Sequence, residues 1–191
     1  MWWSEPSRAC GRLARLVPLA ATLGLAVGLG GCFQPLYGDH SVDGGPSLRG
    51  AMSAVDVKQI DASKGSDEAR LAVELRNALL FDLTGGGPAA RPAYSLVIRM
   101  SSTVSDIIVD TATTRPAIEN YGINANYVLT EIASGKPVVN GQTFARVSYD
   151  VPGQEQRFAR MRGLRDAETR AAKMIADNIQ ARLASYFAAG T

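Results

Sequence analysis

Few residues of this 191-residue chain have the type and spacing to do chemistry, and Cys32 leads them. It closes the run Leu29-Gly30-Gly31-Cys32, behind an uncharged stretch from Leu16 to Gly30 that is itself preceded by Arg8, Arg12 and Arg15. A second group is Arg157, Arg160, Arg162 and Arg165, with Glu155 and Asp166 as the nearest acids. Guanidinium forks grip phosphates and carboxylates through paired hydrogen bonds, so this cluster could hold an anionic group. Lys136, between two alternating segments, is a lone third candidate. Other chemistries lose their central residue. The one histidine, His40, sits in a Gly/Asp/Ser-rich segment, which removes Ser-His-Asp catalysis, zinc hydrolysis and imidazole acid–base work. Asp106 and Asp110 have no acid–base partner and no metal-ligand spacing beside them, and read as solvated strand-end acids. Gly85-Gly86-Gly87 lacks the Lys-Ser/Thr sequel of a phosphate loop and follows a helix rather than opening one. No catalytic residue, metal ligand or cofactor site is expected.

The surroundings of Cys32 assign its chemistry. A basic start, a short apolar run and small residues before a cut are the parts of an export signal. The run is short for a membrane span, which needs about 20 apolar residues. Leu-Gly-Gly-Cys resembles the lipobox of bacterial lipoproteins. That resemblance implies that the Cys32 sulfur is acylated, that the chain is cut before it, and that the new amine is acylated too. One acyl chain holds a protein marginally, at about 0.8 kcal/mol per buried methylene, whereas two or more make attachment lasting. Phe33, where an Asp would favour inner-membrane retention, is compatible with the outer membrane. The expected organisation is a signal peptide over 1–31, a lipidated tether over 32–53 and one domain over 54–191.

Removing the signal takes away three of the 20 basic residues and one of the 18 acids, leaving 17 of each. Balanced charge gives no reason to expect a nucleic-acid partner. Cys10 leaves with the signal and Cys32 carries lipid, so the domain is expected to hold neither a disulfide nor a cysteine metal site.

The remaining elements form a frame. Val55 and Val57 alternate with Asp56 and Lys58 in a short first strand. Ser66 is a good helix N-cap, Asp67 and Glu68 favour the positive end of the dipole, and Leu71, Leu75, Leu79 and Leu83 make one apolar face. Gly85 to Pro88 stop that helix. Strand two alternates Tyr94, Leu96, Ile98 and Met100 with polar residues, and Pro116 is expected to interrupt any ladder beyond it. Ile123 to Thr130 and Ala145 to Val151 alternate around Gly135-Lys136-Pro137 and predict an antiparallel hairpin. A helical stripe from Leu164 to Tyr186 places the last helix over about 164–187, with the arginine cluster in a loop before it. The predicted fold is α+β, with the order strand-helix-strand-strand-strand-helix: one four-stranded sheet with two helices packed on one face.

Several segments in this order carry a further resemblance. They are Gly-Cys-Phe-Gln-Pro-Leu-Tyr-Gly from Gly31, Glu-Leu-Arg-Asn-Ala-Leu from Glu74 to Leu79, Tyr94-Ser-Leu, and the Thr-rich stretch from Asp110 to Arg115. Ala125-Asn-Tyr and the final helix, from Ala-Glu-Thr-Arg-Ala-Ala to Arg-Leu-Ala-Ser-Tyr-Phe, complete the set. Together they resemble the LPS-assembly lipoprotein family (LptE) in its alphaproteobacterial form, over nearly the whole chain after the signal. The resemblance implies a non-enzymatic outer-membrane subunit whose partners are lipopolysaccharide and the LptD-type β-barrel translocon. It would plug the barrel lumen, assist barrel assembly, and help lipopolysaccharide reach the surface. Arg157, Arg160, Arg162, Arg165 and Lys136 then become candidate contacts to lipopolysaccharide or to the barrel. The alternative is an auxiliary lipoprotein of an ABC-type lipid transporter. Cys32→Ala should abolish incorporation of labelled palmitate and release a folded domain from the membrane; label persisting in that variant would contradict the anchor.

Overall fold

The computed structural model describes residues 47–63, 65–110, 115–151 and 156–189. Cys32, the signal and most of the expected tether lie outside the described residues. The elements are α1 (Leu48–Ser53), β1 (Val55–Val57), α2 (Asp67–Thr84), β2 (Tyr94–Asp110), β3 (Arg115–Glu131), β4 (Pro137–Asp150) and α3 (Arg157–Ala189). The strands form one sheet in the order β1-β2-β3-β4, with β1 parallel to β2 and the other neighbours antiparallel. This is the predicted α+β arrangement, with α1 as an added third helix.

Helix α2 forms as its punctuation dictates. Ser66 accepts a hydrogen bond from the Ala69 N–H at 3.1 Å, Asp67 and Glu68 sit in the first turn, and Gly85 closes the helix with φ 63°. That left-handed conformation is one glycine adopts without the penalty a side chain would add. Leu71, Leu75, Leu79 and Leu83 are all buried on one face. In α3, Ala167, Ala171, Ala172, Ala176 and Ala184 are buried beside Ile175, Ile179 and Leu183. Small residues let α3 approach α2 and the sheet closely. Gln180 bonds across the helix pair, its Nε2 donating to the Asp82 carbonyl at 3.0 Å. At the helix end Phe187 packs tilted against Tyr94, with centroids 5.0 Å apart, and edge to face with Tyr186 at 5.3 Å.

Among the described residues, the sheet is covered on one face. Leu96 and Ile98 on β2, Tyr121 to Leu129 at alternate positions on β3, and Val139, Ala145, Val147 and Tyr149 on β4 point into the core. Their neighbours along each strand point away from the helices, and most are exposed. Tyr127 lies across from Gly141, and a Cβ there would stand 2.5 Å from the Tyr127 hydroxyl oxygen.

Three details differ from the sequence expectation. The linker-like segment after Phe33 ends in a helix, α1, capped by Ser47, with Ala51 and Met52 buried. Strands β2 and β3 run well past Ser101 and before Ile123. Pro116 lies inside β3, opposite Val109, and does not break the ladder. The ladder tolerates it because β4 pairing ends at Ile118, so β3 has a neighbour on one side only there. The register does shift nearby, between Asp106 and Ile108 and again before Val109.

Leu75→Ala should destabilise the domain by about 2–5 kcal/mol through lost burial and a residual cavity. Val73→Ala, at an exposed site on the same helix, should stay within about 0.5 kcal/mol. Urea unfolding of the two variants checks the assignment of the buried face.

Candidate functional site

The candidate cations fall at two distant places. Lys136 is exposed in the β3–β4 turn, whose Gly135 has φ 67° and whose backbone closes through Glu131 N–H to Lys136 O at 3.0 Å. The arginines lie at the other end of β4, beyond Asp150. The 14 strand residues of β4, at about 3.4 Å each, separate the two by more than roughly 40 Å, so Lys136 and the arginines cannot share one ligand group.

The arginines are not in a loop. Helix α3 begins at Arg157, about two turns before the apolar stripe that marked its start in the sequence. The segment Arg157–Gly163 is built mostly of good helix formers, but all of it up to Arg162 is exposed, so no buried stripe announces it. At 3.6 residues per turn, Phe158, Met161, Arg162 and Arg165 share one face, at i, i+3, i+4 and i+7. Phe158 is 82% exposed and Met161 53%. An aromatic ring and a thioether flanked by two guanidinium groups can meet a ligand that is apolar in one part and anionic in another. Arg157 stands to the side of this face.

Arg160 points the opposite way and belongs to the fold. Its Nη2 donates to Glu119 Oε1 at 2.8 Å, and Glu119 is only 3% exposed. The Tyr149 hydroxyl donates to the other oxygen of the same carboxylate. A buried charge is costly unless it is paired and hydrogen-bonded, and these two donors meet that need. Burial, then the bond to Glu119, pushes the Tyr149 hydroxyl well above the usual phenol range. A second buried carboxylate, Glu168 on α3, accepts from Arg70 on α2, which also lies 3.7 Å from Glu74. Between the ends of β3 and β4 and the start of α3 lies an open cleft of about 440 Å³, lined by Ser148, Tyr149, Asp150, Gly163, Asp166 and Arg170 among others. Arg170 is held by Asp166 at 2.7 Å. Among the described residues no group of three or more His, Cys, Asp or Glu could hold a metal.

Glu119 and Glu168 were not picked out from the sequence, although the signal was there. Glu119 keeps the parity of Tyr121 and Ile123, which places it on the inner face. Glu168 is four residues after Leu164, on the apolar stripe of α3.

A family model described as lipopolysaccharide-assembly, LptE, matches residues 52–183, more than half of the chain. The chain belongs to the LptE lipopolysaccharide-assembly family. The match begins within α1 and ends in the last turns of α3, so it spans the packed domain. Among solved structures, the LptE-type fold seen here is similar to that of a lipoprotein from Caulobacter crescentus CB15. The TM-score is 0.58 at 20% identity, covering 75% of this chain and 97% of that one. Rare lipoprotein B from Shewanella oneidensis matches with TM-score 0.47 at 17% identity, covering 68% and 95%. A minor lipoprotein from Acinetobacter baumannii gives TM-score 0.47 at 13% identity, covering 69% and 90%. No protein among the curated ones matches the chain. No helix among the described residues of this LptE-family chain is long and apolar enough to cross a membrane.

The pairing of Arg160 with Glu119 separates it from Arg162 in what charge reversal costs the fold. Arg160→Glu should destabilise the domain by roughly 1–3 kcal/mol, because Glu119 is left buried beside a like charge. Arg162→Glu should leave the unfolding midpoint unmoved. The raised Tyr149 value also has a sign. The stability it contributes is complete below about pH 10 and is lost as pH climbs further. Tyr149→Phe should therefore show a shallower alkaline loss of stability than the parent chain, read from denaturation midpoints across that range; an identical slope would detach Tyr149 from the network.

Proposed function

We propose that this lipoprotein is the non-enzymatic subunit of an outer-membrane lipopolysaccharide translocon. It occupies the lumen of an LptD-type β-barrel, assists assembly of that barrel, and helps lipopolysaccharide reach the cell surface. The observation that carries the reading is the family match across the packed domain. The physical surface supports it. A barrel lumen is polar, so a body inside it needs hydrogen-bonding capacity more than a greasy patch. The uncovered sheet face and the outer sides of the helices are largely polar, their exposed apolar residues forming small groups such as Val97 beside Val128 and Phe158 near Met161. Acyl chains on Cys32 would hold the domain at the periplasmic side of the membrane or within the lumen.

Within this role, the outer face of the α3 start is the contact for lipopolysaccharide. Arg162 and Arg165, with Arg157 beside them, suit its phosphates, and Phe158 and Met161 suit its acyl chains. Arg160 contributes by fixing that helix end on Glu119. Lys136, at the far turn, is left for a barrel contact.

Purification of the full chain from detergent-extracted membranes should bring down a large β-barrel in stoichiometric amount. Recovery of an inner-membrane ATPase set instead would overturn the reading in favour of a lipid-transporter auxiliary. Arg162→Glu with Arg165→Glu should weaken lipopolysaccharide binding about ten-fold, the effect of losing roughly 1.4 kcal/mol, with an unchanged unfolding midpoint. Unaltered affinity would remove this helix face from the contact.

A further inference from the structure

The uncovered face of the sheet has a composition of its own. Register places Arg99, Asn126 and Gln142 in one row across β2, β3 and β4, and Asn124 beside Phe144 in the next. Arg146 follows Phe144 on the same side of β4. All six side chains are exposed. Neighbouring strands stand about 4.8 Å apart, so these groups form a continuous flat lattice. Along β2, β3 and β4, the one acid among the described positions of this face is Asp150, at its far end.

The chemistry of the lattice is selective. Each amide offers two N–H donors and a carbonyl acceptor in one plane, and each guanidinium offers paired donors. Adjacent hydroxyls on a sugar ring present the matching donor–acceptor pairs, and a ring is about as wide as the strand spacing. Phe144, at 65% exposed, supplies a flat apolar surface for the C–H side of a sugar. Arg146 lies over that ring, its guanidinium carbon 5.9 Å from the centroid, so a sugar would stack on the ring's other face with a cation nearby. Arg99 and Arg146 have no carboxylate opposite them in the ladder.

We infer that the uncovered sheet face binds the acidic oligosaccharide part of lipopolysaccharide, with Asn124, Asn126 and Gln142 reading hydroxyls, Phe144 stacking on a sugar, and Arg99 and Arg146 meeting its carboxylate or phosphate groups. The inference rests on the proposed translocon role and adds to it a surface for the sugar chain, separate from the α3 contact for phosphates and acyl chains.

The test uses the full-length lipoprotein in detergent and lipid-free oligosaccharide released from lipopolysaccharide by mild acid, with neutral dextran as control. Saturable binding of the acidic oligosaccharide, weakened by salt, is expected. Phe144→Ala and the pair Arg99→Gln with Arg146→Gln should each weaken it about ten-fold. Asn126→Asp, nearly identical in shape but repelling an acidic sugar, should do the same. Unfolding midpoints and recovery of the β-barrel should stay as in the parent chain, because these side chains lie on the uncovered face. Absence of saturable binding, or unchanged affinity in the variants, overturns the inference. Loss of the barrel in the face variants also overturns it, since the face is then a protein interface. If the unmutated chain recovers no barrel, the translocon role is what fails, whatever the oligosaccharide does.

Discussion

One constraint organises the molecule: apolar residues are buried on a single face of the sheet, and two long helices supply most of the cover, with α1 adding Met52. Strand side chains alternate, so a slip of one residue would exchange the buried and wet sets. Tyr127 seated on Gly141 and the close approach of the alanine-rich α3 hold the register and the cover in place. Everything else is a consequence. The inner face must satisfy any charge it takes in, which is why Glu119 and Glu168 each have an arginine. The other face has nothing packed on it from its own chain among the described residues, and is free to be polar.

The helix pair also divides the chemistry of the arginines. Four of them close together in sequence look like one cluster, yet helical geometry sends Arg160 inward to Glu119 and sets Arg162 and Arg165 outward beside Phe158 and Met161. The first is a structural tie that fixes the end of α3 against the sheet. The others are an exposed group carried on a rigid element, the condition for a contact of defined shape.

Much of this was legible before any coordinates, and the reasons are local. Ser66, the four leucines and Gly85 each state a piece of α2, and alternation around Gly135 states the β3–β4 hairpin. What was hidden depends on long-range pairing or on the lack of burial. α1 is a six-residue helix in a segment of linker composition, formed because Met52 finds the core. The first two turns of α3 overhang the sheet and have no apolar stripe to mark them. The length of β2 and β3 comes from their pairing with each other, which no short window reports. Glu119 was readable by parity alone, but a glutamate on a core position is easily passed over until its two donors are seen. The amide lattice was visible only as polar strand faces, since its rows exist once three strands are in register.

The family match shows a lipopolysaccharide-assembly protein, and the role proposed from it is that of a lipid-tied body that supports an outer-membrane pore and the passage of lipopolysaccharide through it. Depletion of the chain from growing cells, followed by measurement of lipopolysaccharide displayed on the surface and of folded translocon barrel, tests that role most directly. The account predicts that surface lipopolysaccharide falls and that the barrel fails to mature. Normal surface display, with the barrel maturing unaided, would contradict it.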